Sequence, residues 1–301
     1  MNAIEIRDLV VQYGSKRAVD GLSLTVPQGS VFGFLGPNGS GKTTTIKTLL
    51  GIRRPDGGQA SILGHDVVSD SLAVRARTGF VSEVGGLYDG LTVTQMLDFQ
   101  RGTAAKWDKE TAEHYIETFK LPRGARVRQL SKGMKMQLAF ALAMGNSPDL
   151  LILDEPTSGL DPVARHELLN TLVGEVAATG RTVFFSSHIL SEVEAVADTI
   201  AIIRGGKLIV SGDLDDLKAQ QKVVRLVYVD APPREEVEAV RALPGIARVD
   251  QEGRSLRLTT RGGLNGILEA LRNRPYPVRD VDVVDIGLED LFLEYMKEAV
   301  K

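Results

Sequence analysis

The chain of 301 residues is long enough for about two domains, and its hydrophobic content of 43% supports ordinary buried cores. A formal net charge of -3 gives no basic surface for covering nucleic acid, and the lack of cysteine excludes disulfides and thiolate metal sites. The start of the chain lacks the pattern of a signal peptide, and no apolar run approaches the roughly 20 residues of a membrane span. We therefore expect a globular protein that does not bind nucleic acid. If it works at a membrane, another chain must supply the spanning part.

Two strands open the chain, predicted at residues 4–12 and 18–26 from their alternation of apolar and polar residues. Tyr13 lies at the end of the first strand. An aromatic ring at this place can stack on a purine, because a π face accepts a base, or it can be a simple edge residue. The strand pattern alone leaves both interpretations open.

A glycine-rich loop follows an apolar strand and precedes a helix between residues 31 and 50, with Gly36 and Gly41-Lys42-Thr43 at the spacing of a P-loop. Glycines let a triphosphate approach bare backbone N–H groups, and the helix directs its positive end at the phosphates. Lys42 supplies a cation near the β- and γ-phosphates, and the Thr43 hydroxyl can ligate Mg²⁺. The residues predicted to bind nucleotide here are Gly36, Pro37, Asn38, Gly39, Ser40, Gly41, Lys42, Thr43 and Thr44.

Glu83 follows a short buried strand at residues 79–81. A carboxylate just past the C-terminal end of a parallel strand lies on the ligand side of an open α/β sheet, where it can hold a metal ion. A solvated loop acid is the alternative. The strand pattern by itself favours that alternative, and only the P-loop makes a metal site preferable.

The stretch from residue 91 to about 144 has helical periodicity, with helices predicted at 95–101, 109–119 and 132–144. It predicts an inserted helical subdomain. Ser131 and Gly133, at the start of the last of these helices, offer a hydroxyl and free backbone N–H groups to an anion. An ordinary N-cap explains Ser131 equally well.

Four apolar residues at 150–153 predict a strand buried on both faces, and Asp154 and Glu155 follow them. If this strand neighbours the P-loop strand, Asp154 can hold Mg²⁺ through its water shell. Glu155 can then orient or deprotonate the water that attacks the γ-phosphorus. Adjacent helix-capping acids are the weaker alternative, because the apolar run and Pro156 favour a strand end.

His188 follows a further buried strand predicted at residues 182–186. A lone histidine is more often structural than catalytic. Here, however, the ends of several parallel strands meet at one edge of the sheet. The sequence therefore predicts a site that gathers the P-loop, Glu83, Asp154, Glu155 and His188.

The composition changes after about residue 220. Between residues 222 and 286 the predicted elements follow the order strand, helix, strand, strand, helix, strand, which is typical of a ferredoxin-like split βαβ unit. An amphipathic helix is predicted at 288–300. No chemistry is evident in this part of the chain.

The first ~220 residues resemble the nucleotide-binding subunits of ABC transporters, because several motifs occur in the family's order. The resemblance implies a P-loop NTPase fold of the α/β class, with a mixed, mostly parallel sheet, an antiparallel β subdomain and an inserted helical subdomain. It divides the chain into an ATPase domain at 1–220, with the helical subdomain at about 84–145, and an α+β accessory domain at 221–301. The motifs are Tyr13 as the adenine-stacking aromatic, 36–43 as Walker A, 130–134 as the signature, Asp154 and Glu155 as Walker B, 158–161 as the D-loop and His188 as the switch histidine.

Two motifs depart from the family pattern. Glu83 stands where the family usually has glutamine, and the signature reads LSKGM where the family has LSGGQ. A glutamate can still hold Mg²⁺, but it adds negative charge beside the phosphates and cannot donate a hydrogen bond at neutral pH. Ser131 and Gly133 are retained. Both departures and the C-terminal LEDLFLEYM resemble ATPases that serve ABC-2-type exporters, including antibiotic and multidrug export groups.

By this resemblance the chain is expected to bind ATP and Mg²⁺ and to hydrolyse ATP to ADP and phosphate, as a translocase. Two such subunits, identical or different, would close head to tail on ATP, because Ser131 is too far from Lys42 of the same chain to share one phosphate. The other expected partners are ABC-2-type membrane permease subunits, which would hold the protein peripherally at the cytoplasmic face of the membrane.

Two other functions stay open. A soluble ABC ATPase that acts on nucleic acid or ribosomes is one, although a single P-loop and the lack of a basic block count against it. A regulatory ATP-binding module with vestigial hydrolysis is the other, and Glu155 counts against it.

Overall fold

The computed structural model describes residues 1–83, 86–261, 264–272 and 274–298. Among these residues no helix is long and apolar enough to cross a bilayer. Contacts divide the chain into two units, Met1–Ser211 and Gly212–Lys301, which are described separately below. This division assigns residues 212–220 to the second unit, whereas the sequence prediction assigned them to the first. The predicted start of the helical subdomain at residue 84 lies outside the described residues.

The first unit and the strand that leaves it are built from ten strands and seven helices of the described residues. In chain order they are β1 (Asn2–Tyr13), β2 (Lys16–Pro27), β3 (Val31–Leu35), α1 (Lys42–Leu49), β4 (Gly57–Ile62), β5 (His65–Asp66), α2 (Ser71–Arg77), β6 (Thr78–Val81), α3 (Val93–Thr103), α4 (Lys109–Thr118), α5 (Lys132–Gly145), β7 (Leu150–Asp154), α6 (Pro162–Thr179), β8 (Thr182–Ser187), α7 (Leu190–Val196), β9 (Thr199–Arg204) and β10 (Lys207–Asp213).

A six-stranded sheet with the strand order β10-β9-β3-β8-β7-β6 forms the centre of the first unit. Neighbouring strands from β9 to β6 pair in parallel, and every residue of β3, β7 and β8 is buried, as their continuous apolar runs predict. Phe32 and Phe184 stack across β3 and β8 with ring centroids 5.6 Å apart. The Mg²⁺ role of Asp154 was predicted on the condition that β7 neighbours the P-loop strand β3. This condition is not met, because the phenylalanine-rich strand β8 lies between them.

A second sheet with the order β2-β1-β4-β5 is antiparallel. Its strands alternate, and their inward residues, such as Ile4 and Ile6, share one hydrophobic core with Phe34 of β3 and Ile46 of α1. The predicted antiparallel β subdomain is therefore present. Its two-residue strand β5 was not predicted, because so short a pairing leaves no periodic pattern.

Helices α3, α4 and α5 lie between β6 and β7 in the chain, as the helical pattern predicts. Each begins at a side-chain cap: Thr92 with Gln95 forms a capping box, Asp108 accepts from Thr111 N–H, and Ser131 accepts from Met134 N–H. Helices α4 and α5 pack through aromatic rings, with Tyr115 and Phe140 at 5.1 Å.

The second unit contains a four-stranded antiparallel sheet of order β12-β13-β11-β14. Helices α9 and α10 pack on it through a core that includes Leu226, Val237, Leu256 and Ile267. Order and connectivity are those of the predicted ferredoxin-like fold. Residues 299 and 300 of the predicted last helix lie outside the described residues. The elements are α8 (Leu214–Ala219), β11 (Gln221–Tyr228), α9 (Arg234–Arg241), β12 (Ile246–Glu252), β13 (Ser255–Arg261), α10 (Asn265–Arg272), β14 (Val278–Asp285) and α11 (Leu288–Glu298).

The charged residue Glu236 of α9 is fully buried in this unit. It accepts a hydrogen bond from Arg274 Nη2 at 2.6 Å and one from Tyr228 Oη at 3.1 Å. Burial, together with the neighbouring carboxylate, raises the pKa of Tyr228, and the hydrogen bond that Arg274 donates to Glu236 raises the pKa of Arg274. The network joins β11, α9 and the segment after α10.

We expect Glu236→Ala to lower the local free energy of unfolding of the second unit by about 3 kcal/mol. The substitution leaves the Arg274 guanidinium and the buried Tyr228 phenol without their hydrogen-bond acceptor. Hydrogen exchange of the β11 and α9 amides measures this change.

Glu238→Ala is the matched control on the same helix. Glu238 pairs with Arg241 at 2.9 Å, but both side chains are 51% exposed. Exposed pairs contribute little, so its effect should stay within about 0.5 kcal/mol. Equal losses in the two variants would contradict a stabilising role for the buried network.

Candidate functional site

The loop between β3 and α1 depends on glycine at two close approaches. A Cβ on Gly36 would lie 2.5 Å from the Ile203 carbonyl oxygen, and one on Gly41 would lie 2.5 Å from the Ala18 carbonyl oxygen. Gly41 also has a φ of 112°, which other residues rarely adopt. The loop is therefore fixed against β2 and β9 with its backbone bare of side chains at these points.

Lys42 and Glu155 form a buried ion pair beside this loop. The Lys42 Nζ lies 3.0 Å from Glu155 Oε1 and donates a hydrogen bond to the Gly36 carbonyl at 2.7 Å. The carboxylate that the sequence predicts as the water-activating group thus lies next to the ammonium predicted to contact phosphates.

His188 lies on the other side of the same carboxylate. Its Nδ1 is 2.7 Å from Glu155 Oε2, and its side chain is 43% exposed. Glu155 is therefore held between two nitrogen groups, one buried and one open to solvent.

Asp154 is buried and accepts hydrogen bonds from Ser186 Oγ at 2.7 Å and Thr43 Oγ1 at 3.3 Å. The Glu155 N–H donates to the same Ser186 oxygen at 3.0 Å. Glu155 has a φ of 51°, which is uncommon for a residue other than glycine, so this bond supports an unusual backbone turn. Ser186 of β8 therefore bridges the Asp154 side chain and the Glu155 backbone, and these two acids contact Walker A directly through Thr43 and Lys42.

Sequence reasoning missed Ser186 as a site residue. It was used only to mark the end of a buried strand. The available signal was a pair of serines closing an otherwise apolar strand, at the sheet edge where two acids end the neighbouring strand.

A cavity of about 280 Å³ opens over the loop. Glu83 and Glu155 both line it, and Glu83 also accepts a hydrogen bond from Ser158 Oγ at 2.8 Å. The lining residues are Tyr13, Lys16, Ala18, Asn38, Gly39, Ser40, Gly41, Lys42, Thr43, Thr44, Glu83 and Glu155.

Six of the predicted site residues do not line this cavity in the described structure, among them Gly36 and Pro37 at the start of the loop. Asp154 and His188 contact it indirectly, through Thr43 and Glu155. Ser131 and Gly133 lie at the start of α5 in the helical subdomain.

Tyr13 is half exposed at the rim of the cavity. The Arg53 guanidinium lies 5.3 Å from the centre of its ring, a cation–π contact that fixes the ring's position. Stacking of this ring on a purine stays a prediction.

The donor set fits a nucleotide phosphate and Mg²⁺. Ser40 Oγ is buried without a hydrogen-bond partner among the described residues, so it has a donor for a phosphate oxygen. Thr43 and Asp154 supply oxygen ligands, the type that Mg²⁺ prefers. Within the described ranges no three or more His, Cys, Asp or Glu side chains gather in a group that could hold a metal ion.

Comparison with known proteins agrees with this geometry. The family model described as ABC transporter matches residues 19–158. The chain is 36% identical to the daunorubicin/doxorubicin resistance ATP-binding protein DrrA of Streptomyces peucetius, over 97% of this chain and 91% of that protein. The chain belongs to the ABC transporter ATP-binding proteins.

Two further ABC proteins extend the match. The bacitracin transport ATP-binding protein BcrA of Bacillus licheniformis is 38% identical over 73% of this chain and 72% of its own length. A solved structure of an ATP binding subunit of an ABC transporter superposes with a TM-score of 0.66 at 30% identity, covering 72% of this chain and 92% of that one.

A second buried network lies behind the site of this ABC ATP-binding subunit. Glu192 of α7 is only 3% exposed; it accepts hydrogen bonds from Thr157 and from Ser187 Oγ at 3.2 Å, and Arg165 Nε lies 3.0 Å from it. Thr157 follows Glu155 and Ser187 precedes His188, so Glu192 ties both segments together. Sequence reasoning missed this residue, because a glutamate in a short helix carries no distinguishing pattern.

We expect Ser186→Ala to lower the free energy of unfolding by about 2 kcal/mol, because the buried Glu155 N–H loses its acceptor and Asp154 loses a donor. Urea denaturation measures this change.

Thr171→Ala on α6 is the control for loss of a hydroxyl. Thr171 Oγ1 donates only to the Glu167 carbonyl of its own helix, at 2.8 Å. Its removal leaves no buried N–H without an acceptor and should lower the free energy of unfolding by about 0.5 kcal/mol or less. A Ser186 variant as stable as this control would show that the bridge contributes little.

Proposed function

We propose that this ABC ATP-binding subunit hydrolyses ATP to drive export of a substrate through separate membrane subunits. The observation that carries this proposal is the position of the Glu155 carboxylate, 3.0 Å from Lys42 Nζ and 2.7 Å from His188 Nδ1 at the mouth of the glycine-rich loop. A base, a phosphate-binding cation and a bare backbone loop are the parts that phosphoryl transfer to water requires.

ATP binds in the 280 Å³ cavity over the loop. The loop residues from Gly36 to Thr44 and the Lys42 ammonium hold the phosphates, and the Tyr13 ring stacks on the adenine. Phosphate oxygens compete with Glu155 for Lys42, because both are anions within reach of the same buried cation. Binding therefore frees a carboxylate at the place where the water must be activated.

Thr43 and Asp154, with Glu83, hold Mg²⁺, which when bound neutralises charge on the β- and γ-phosphates. Ser186 orients Asp154 for this role through its hydrogen bond of 2.7 Å. The Glu83 carboxylate is the protein group in this set that also contacts the D-loop, through Ser158.

Glu155 takes a proton from water as the water oxygen bonds to the γ-phosphorus and the bond to the β–γ bridging oxygen breaks, giving ADP and phosphate. His188 holds the Glu155 carboxylate in position through its contact with Oε2. The reaction places the protein in the translocase class when it is coupled to transport.

A second subunit completes the site. Ser131 and Gly133 begin the 14-residue helix α5 and are not among the residues that line the Lys42 cavity of the described chain. A hydroxyl and N–H groups at a helix N-terminus suit a phosphate. We infer that each cavity receives these residues from a partner, identical or homologous, in a head-to-tail dimer that forms on ATP.

The membrane partner binds near the helical subdomain. Tyr88 and Phe99 form an edge-to-face pair at 5.0 Å and are 55% and 42% exposed, an unusual exposure for aromatic rings in contact. A cavity of about 320 Å³ beside them is lined by Leu87 and Gln100 among others. An ABC-2-type permease on this surface would hold the protein at the cytoplasmic face of the membrane. DrrA and BcrA, named for resistance and transport, support an exporter.

We expect Glu155→Gln to lower ATP turnover by about 100-fold or more, because an amide cannot accept the proton. ATP binding should be retained, and the variant should elute as an ATP-trapped dimer in gel filtration.

The exposed Glu117→Gln is the control and should hydrolyse ATP at the native rate. Hydrolysis by Glu155→Gln at that same rate would overturn the assigned role of Glu155. It would also reopen the question of a site that does not use a carboxylate base.

Tyr88→Ser with Phe99→Ser should reduce co-purification of a multi-helix membrane protein from solubilised membranes by about 10-fold, the effect of losing about 1.4 kcal/mol of interface energy. ATP binding should not change, because neither ring lines the nucleotide cavity. Leu72→Ser removes a different apolar side chain, 77% exposed, and serves as the control. Equal recovery of the membrane protein with both variants would place the permease contact elsewhere.

A further inference from the structure

Two of the residues that depart from the family pattern, Glu83 and Lys132, face one cavity. Glu83, after β6, and Lys132, the first residue of α5, both line a space of about 330 Å³. They are far apart in the chain and belong to different motifs, so nothing in the sequence connects them.

The D-loop lies between these two side chains. Ser158 Oγ donates to Glu83 Oε1 at 2.8 Å. A Cβ added to the next residue, Gly159, would lie 2.8 Å from Lys132 Nζ and 3.2 Å from its Cδ. The lysine stem therefore runs over Gly159 while the carboxylate holds Ser158.

The position of Lys132 is unfavourable for a positive charge unless an acid lies nearby. It lies at the positive end of a 14-residue helix whose first turn contains no acidic residue, which disfavours a cation. Its ammonium has no ion pair within the described ranges. The other acid on the cavity, Asp89, is already paired with Lys135 at 3.1 Å. Glu83 is the acid that remains.

Glu83 also lines the nucleotide cavity next to Glu155. The Glu83 carboxylate therefore repels the phosphates and is attracted to Lys132. The balance of these two electrostatic effects decides whether a glutamate can replace the family's glutamine here.

We propose that Lys132 is a positioning residue that offsets the charge of Glu83 and keeps its carboxylate against Ser158. The signature lysine thereby compensates for the extra negative charge beside the phosphates within one chain. The effect on nucleotide affinity rests on the proposed function, whereas the electrostatic coupling of the two side chains does not.

A double-mutant cycle tests the proposal, with Lys132→Met, which retains the apolar stem, Glu83→Gln, and both together. The thermal midpoint is measured without nucleotide, and the affinity for a fluorescent ATP analogue is measured in EDTA. Lys132→Met should weaken nucleotide binding about 3- to 10-fold when Glu83 is present and less than about 2-fold after Glu83→Gln. The shifts in midpoint should likewise not add.

Lys109→Met is the matched control. Lys109 is also the first residue of a helix of the same subdomain, but it does not line the cavity. Its effects should add to those of Glu83→Gln.

Additive effects of Lys132→Met and Glu83→Gln would overturn the proposal. So would a loss of ATP-dependent dimer in Lys132→Met that persists after Glu83→Gln, because the lysine would then act on the partner's nucleotide. If the native protein bound no ATP, the proposed function would fail. The double-mutant cycle in thermal midpoints would still test the electrostatic coupling between Lys132 and Glu83.

Discussion

The buried ion pair between Lys42 and Glu155 is the interaction on which the rest of the site depends. Removing two charges from water is costly unless each finds further partners. Lys42 finds the Gly36 carbonyl and Glu155 finds His188, so the pair is supported by the loop after β3 and by the ends of β7 and β8. Displacement of any one of these segments would leave a buried charge uncompensated. The apolar, doubly covered sheet is thus a requirement of the chemistry, because only rigid packing holds three chain segments at hydrogen-bond distance.

Because β8 lies between β3 and β7, its serine side chains can orient the two acids at the end of β7. Ser186, at the end of β8, contacts Asp154 and the backbone of Glu155 together, and Ser187 reaches Glu192 behind them. Small hydroxyl residues suit this place, because the neighbouring strand β7 brings the larger Asp154 side chain to the same edge. Walker B is therefore oriented from the side by a strand that carries no Walker motif. His188 follows that strand directly, so the same serines also fix the position of His188.

Much of this arrangement could be predicted from the sequence. Apolar runs identify β3, β7 and β8 as buried strands, the glycine spacing identifies the loop, and alternating elements after residue 220 predict the ferredoxin-like order. Strand order could not be predicted, since nothing in the run of β8 says that it inserts between two others. Ser186 and Glu192 were missed for a related reason: Asp154 and Thr157, a partner of each, lie more than 30 residues away in the chain, and such contacts leave no local periodicity.

The proposed compensation of Glu83 by Lys132 ties the charge of one motif to a residue of another. A carboxylate near bound phosphates raises the local negative potential, and a cation on the far side of that carboxylate lowers it again. In this chain that cation lies on α5, whereas the carboxylate follows β6 and the residues between them belong to the D-loop. Any displacement of α5 relative to β6 would therefore change the charge balance at the nucleotide cavity. A pair of compensating charges placed across a subdomain boundary makes the electrostatics of the site depend on the position of the helices, which a neutral glutamine at residue 83 would not do.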